Sequence, residues 1–181
     1  MHKPEDIKEL YQDVSEQTVE KFTIWADSVL FSWQWWIGVS LSIVPWILWI
    51  KYRRKESTLR LLSVGFFVMF ISTLLDSIGV QLGLWYYLHA PLPLIPAFFP
   101  WDTTLMPVTV LAFLQFKPKI NHYLKALLFA GLAAYIAEPF FTWINFYQPT
   151  GWRHIYSFTF YFIIYLISHK MFNGKSYRNF D

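Results

Sequence analysis

The chain alternates long apolar runs with short basic or proline-rich breaks. The runs carry neither the two-residue alternation of strands nor a polar helix face. A helix that crosses a membrane needs about 20 apolar residues. Five runs reach or approach that length, at residues 28–50, 61–85, 98–116, 124–146 and 155–168. The last is short, but Tyr156 and His169 flank it as interfacial residues. The third is interrupted by Pro100 and Pro107. Residues 4–25 follow another pattern. Pro4 suits a first helical position, Glu5 and Asp6 favour the positive end of the dipole, and Ile7, Leu10, Val14, Phe22 and Trp25 share one face. The pattern predicts an all-α membrane protein. An amphipathic, acidic N-terminal helix (1–27) precedes a five-transmembrane-helix bundle (28–170) and a basic tail (171–181). Residues 1–27 lack the early apolar core of a signal peptide.

Composition agrees. With 55% hydrophobic and 22% aromatic residues, the chain is too apolar for an ordinary soluble domain. It has no cysteine, which removes thiolate metal sites and cysteine nucleophiles. The net charge of +3 is modest, and the cations lie in short loops, a distribution of membrane topology and not of nucleic-acid binding. Lys51, Arg53, Arg54, Lys55 and Arg60, then Lys117, Lys119 and Lys125, then Lys170, Lys175 and Arg178 fall on one side of the predicted bundle. That bias predicts an outside N-terminus and a cytoplasmic C-terminus in a bacterial cell membrane. The proline-rich loop 88–101 then lies outside, where it cannot form a regular helix and can fold down as a lid.

Candidate chemistry is confined to acids at membrane depth: Asp76, Asp102 and Glu138. At about 1.5 Å per residue, Asp76 stands roughly 24 Å above Arg60, Glu138 about 20 Å above Lys125, Asp102 about 22 Å from Lys117 and Gln34 about 26 Å from Lys51. Gln81 lies slightly higher. The other four reach similar heights, in the outer half. Asp76, Gly79 and Gly83 share a face, as do Ala130, Ala134 and Glu138, so small residues line the acid-bearing faces. Pro139 frees a backbone carbonyl that a protonated Glu138 can reach. With Trp85, Trp101 and Trp143, the layer predicts an outward-facing carboxyl and aromatic pocket for a small molecule or lipid. The bland alternatives are that the acids only lock the bundle and that the tryptophans only form an interfacial belt. His89 and His154 lie on the same side, without metal-ligand spacing. No cofactor or metal is expected. No mid-span lysine, phosphate-binding loop, GxSxG, HExxH or paired-acid motif occurs.

From Trp33 onward, the order of landmarks resembles a family of small integral membrane proteins of Bacillus and other spore-forming Firmicutes. Trp33-x-x-Trp36, the run from Asp76 through Gly79 and Gly83 to Trp85-Tyr86, the proline loop, Pro100-Trp101-Asp102, Pro107, Gln115 and Glu138-Pro139 carry that resemblance. It implies location and topology; no catalytic residue carries over. The acid-Gly-Trp run and Pro100-x-Asp102 are also similar to a motif of the integral membrane carotenoid (lycopene) cyclases, which protonate a polyene with a carboxylic acid. This chain has Asp where that family has Glu. Three functions follow as expectations: a binding or sensing module, a general-acid enzyme acting on an isoprenoid-like lipid, and a proton- or cation-coupled transporter. Membrane lipids are the expected surroundings, and a homo-oligomer is left open.

Overall fold

The computed structural model describes residues 4–174; Lys175 and Arg178 of the expected tail lie outside the described residues. Helix α1 (Pro4–Ser28) leads into α2 (Trp33–Tyr52) and, after a short turn, α3 (Thr58–Gln81). A strand β1 (Trp85–Tyr87) and the proline loop follow. A π-helical turn (Trp101–Leu105) then runs into α4 (Met106–Gln115). Helix α5 (His122–Leu132) continues through a second π turn (Ala133–Ala137) into α6 (Glu138–Trp143), and a strand β2 (Tyr147–Pro149) leads to α7 (His154–Phe172).

Among the described residues, four rods are long and apolar enough to cross a membrane: Trp33–Tyr52, Lys55–Gln81, His122–Trp143 and His154–Phe172. The protein is therefore a mostly helical membrane protein. The rod formed by the first π turn and α4 is shorter, about 22 Å at helical rise. It is also the inner one: α4 touches α2, α3, α5 and α7. Its Met106, Val110, Leu111 and Leu114 meet Leu61, Val64 and Val68 of α3, Phe129 of α5 and Tyr165 of α7 in the core. Large apolar side chains such as Phe66, Phe70 and Ile47 point outward instead, as on a lipid-facing surface. Helix α1 buries no residue of its own.

Helix ends follow local chemistry. The Ser32 hydroxyl accepts from Trp35 N at the start of α2, and the Asn121 side chain accepts from Tyr123 N at the start of α5. Gly83, at φ 68°, turns the chain out of α3. Lys125, expected among the loop cations, is buried. Its ammonium donates to the carbonyls of Phe113 (2.7 Å) and Phe116 (2.6 Å), which α4 leaves without helical donors.

The prolines explain the π turns. Pro107 has no N–H for the carbonyl of Thr103. The backbone relaxes by one residue, so that Met106 N donates to Trp101 O, and Thr103 O accepts the Trp46 indole N–H from α2 at 2.9 Å. Such interruptions are tolerated in membrane helices when a neighbour satisfies the freed group. We expect Trp46→Phe to lower stability by about 1–2 kcal/mol in thermal unfolding. Its cost should shrink in a Pro107→Ala background, where a restored N–H can serve Thr103. An equal cost in both backgrounds would show that Trp46 acts through packing alone.

Candidate functional site

The two strands close one end of the bundle. β1 and β2 pair antiparallel, with Trp85 opposite Pro149 and Tyr87 opposite Tyr147. Bonds from Leu88 N to Phe146 O and from Thr150 N to Leu84 O extend the pairing. The proline loop folds onto α1 and α2, whose Trp25 and Trp35 donate their indole N–H groups to the carbonyls of Ala90 (2.8 Å) and Pro91 (3.2 Å). Pro91 lies so close to Gly38 that a β-carbon there would approach its Cγ to 2.6 Å. Strands and loop together form a cap.

Asp76, near the end of α3, holds that cap. Its Oδ1 accepts from Trp85 Nε1 (2.5 Å) and the Tyr87 hydroxyl (2.7 Å), and its Oδ2 accepts from Phe98 N (2.7 Å). Gly79, one turn along, makes room for the indole: a β-carbon there would stand 2.0 Å from Trp85 Cζ2. The two glycines of the acid-bearing face thus have separate roles. Gly79 seats a ring and Gly83 ends the helix. Burial first, and the Asp76 carboxylate second, hold the Tyr87 hydroxyl well above the ordinary phenol value. It therefore remains a donor through neutral pH.

Beneath the cap is a cavity of about 290 Å³. All three predicted acids line it, with Trp85 and Trp101. Apart from Ser72 and Ser157, the walls are otherwise aromatic and aliphatic, including Tyr87, Phe98, Phe141, Tyr147, Trp152 and Tyr161. No Lys or Arg lines it, and Arg153, at the start of α7, is exposed.

The acids differ in how they are satisfied. Glu138 accepts from the Tyr161 hydroxyl at 2.8 Å and pairs with His154 Nδ1 at 2.9 Å. The Glu138 side chain is only 8% exposed, whereas that of His154 is 38% exposed. Glu138 thus turns toward α7 and not toward the carbonyl freed by Pro139. Ser157 stands beside the pair and accepts from Trp152 Nε1 at 2.8 Å. Asp102 sits in the first π turn, 1% exposed, beside Asp76. Its backbone carbonyl accepts from the Ser72 hydroxyl at 3.0 Å. Its Oδ2 has no hydrogen-bond partner among the described residues.

Three expected pocket residues lie elsewhere. Gln34 is on α2, which contributes nothing to this cavity, and Gln81 is exposed at the end of α3. Trp143 is 77% exposed and points away. Tyr161, Ser157 and Trp152 carried no separable sequence signal among 11 tyrosines and 10 tryptophans. His154 was visible only as a surface histidine. Its neighbour in that reading, His89, instead binds Asn145 O at 2.9 Å. No group of metal-ligating side chains forms among the described residues. A second hollow, of about 450 Å³ and nearly all apolar, lies between α2, α4 and α6; Trp101 and Phe141 wall both spaces.

Amide substitutions separate the two aspartates. Asp76→Asn turns an NH₂ toward at least one of three donors and should cost about 2–3 kcal/mol, whereas Asp102→Asn, at an unpartnered oxygen, should cost less than about 1 kcal/mol. Thermal unfolding checks the order, and equal losses would contradict the division of roles. Set against family models, curated proteins and solved structures, the chain matches none.

Proposed function

We propose that the protein is a small binding or sensing module of the bacterial cell membrane, with five spans. In this reading α4 and its π turn make the inner span, and α1 lies along the outer surface with its apolar side in the interface. The capped end faces outward and the basic loops face the cytoplasm, in keeping with the charge bias. The surrounding partners are membrane lipids, and a second copy of the chain is compatible with so small a bundle.

The ligand is a compact organic cation, or a molecule whose polar end donates hydrogen bonds. One observation carries this reading: Asp102, whose Oδ2 is buried without a hydrogen-bond partner among the described residues, lines an aromatic cavity. Two neighbouring carboxyls in an apolar site need a proton or a cation between them. No basic side chain of the wall supplies one, and aromatic faces favour an organic cation over a hydrated metal ion. Mass spectrometry of small molecules co-purifying with wild-type and Asp102→Asn protein tests this. An amine or donor-bearing species retained by the wild type and lost from an equally stable variant is the expected result. Identical contents in two equally stable proteins would remove the reading.

The Glu138–His154 pair supports a second reading. A buried acid lining an aromatic cavity, joined to a partly exposed histidine, has the parts of a general acid and its proton supply. Glu138 would protonate a carbon–carbon double bond of an isoprenoid-like lipid, and aromatic walls would stabilise the cation until another position lost a proton. His154 would then return the proton to Glu138. The similarity of Pro100-x-Asp102 to carotenoid cyclases points the same way. Offered a linear polyene in vesicles, the wild type should then form an isomer, Glu138→Gln none, and His154→Asn should slow repeated turnover more than a single one. Absence of product from the wild type rejects this reading. A transporter has the least support, because polar lining is confined to the capped half.

A further inference from the structure

The cavity is shut at its capped end but not on its flank. Tyr87, Trp85 and the amide of Phe98 are bound to Asp76, and the two strands are bonded to each other. Tryptophan indoles pin the loop at Ala90 and Pro91. Several wall residues are nonetheless well exposed, on the outer faces of α3 and α7 and, for Leu82, just past the end of α3. Ile78 is 48% exposed, Leu82 69% and Phe160 42%. The mouth is thus apolar and lies on the sides of two helices long and apolar enough to cross a membrane. A bilayer covers such a surface; water does not.

We infer that the ligand enters sideways from the bilayer, between α3 and α7, and is therefore an amphiphile: a cationic head against Asp102 and a hydrocarbon tail lying out through the mouth into lipid. This inference rests on the binding function proposed above and adds the ligand's class and its route. The geometry divides the labour. The rings of Trp85, Trp101 and Tyr161 wall the polar end, where cation–π attraction and the Asp102 carboxyl act together. The aliphatic side chains of Leu75, Ile78 and Leu82 meet the tail. The tail needs no enclosed slot, because lipid is as apolar as the mouth. A hydrophilic cation of the same head would reach the cavity only by opening the hydrogen-bonded cap.

The absence of cysteine permits a direct test. Leu82→Cys and Ile78→Cys place a single thiol at the mouth. Gln148→Cys places one on the cap, on the residue paired with Tyr86. Each protein, in lipid nanodiscs, is measured before and after coupling to a bulky maleimide, so every sample is its own folding control. The probes are dodecyltrimethylammonium and tetramethylammonium, with binding corrected for empty discs and for Asp102→Asn. The expected result is that a mouth label weakens or slows dodecyltrimethylammonium binding by about tenfold, and that the cap label changes it less than about twofold. Asp102-dependent binding that is blocked by the cap label and indifferent to both mouth labels would overturn lateral entry and leave the binding function standing. Absence of Asp102-dependent binding of either probe would sink both.

Discussion

The carboxylate of Asp76 takes its donors from three places in the chain that are not part of its own helix: an indole N–H and a phenol from β1, and a backbone amide at the end of the proline loop. A charged group near the end of an apolar helix is costly unless such donors are supplied. Once supplied, they fix more than the acid. They set the height of the strand over α3, the point where the loop re-enters the bundle, and the roof of the cavity. Gly79 belongs to the same constraint, because the indole reaches the carboxylate only across a backbone without a β-carbon. The strand pairing then binds the α6–α7 connection to this fixed strand and positions Tyr147 and Trp152.

The second constraint is the satisfaction of backbone groups where water is absent. Prolines within or beside apolar helices would seem to violate it, yet here they organise the site. Pro107 and Pro139 each follow a π turn, and the acids occupy those distorted stretches: Asp102 within the first and Glu138 directly after the second. A π turn shifts the facing of every later residue relative to a regular helix, and such bulges recur at functional sites. The side chains that repair the damage come from other helices, as Trp46 does for Thr103 O. The cavity floor is therefore built by the same events that interrupt the helices.

Much of this was legible in the sequence, for a physical reason. Helical rise is constant, so counting residues from basic loops placed the three acids in one layer, and they do meet in one cavity. Facing was harder. Gln81 and Trp143 each stand five residues beyond a cavity acid, a rotation of about 140°, and both turn outward. Phe141, three residues beyond Glu138, turns in. Gln34 has the right depth on a helix that borders the other hollow. The strands were not legible, because a three-residue strand is defined by its distant partner and Trp85-Tyr86-Tyr87 reads equally as an interfacial belt. The short inner rod was the least regular run in the sequence because of its prolines, and α2, α3, α5 and α7 are what shelter it.

The contrast among the acids gives the functional argument its direction. Asp76 has three donors and a structural task. Glu138 has a phenol and an imidazole, and a path to the surface through the latter. Asp102 is the most buried of the three and leaves an oxygen without a donor. An unmet acceptor in such surroundings costs about 1–3 kcal/mol, which an apolar residue would avoid. Two neighbouring carboxyls thus stand in a cavity whose wall supplies no Lys or Arg. In the binding function proposed above, a proton or a cationic partner neutralises them, and the aromatic lining selects which cations fit. On the proposed reading the cap closes the aqueous side and the flank is apolar, so the arrangement that calls for positive charge also restricts its supply to molecules that dissolve in the membrane.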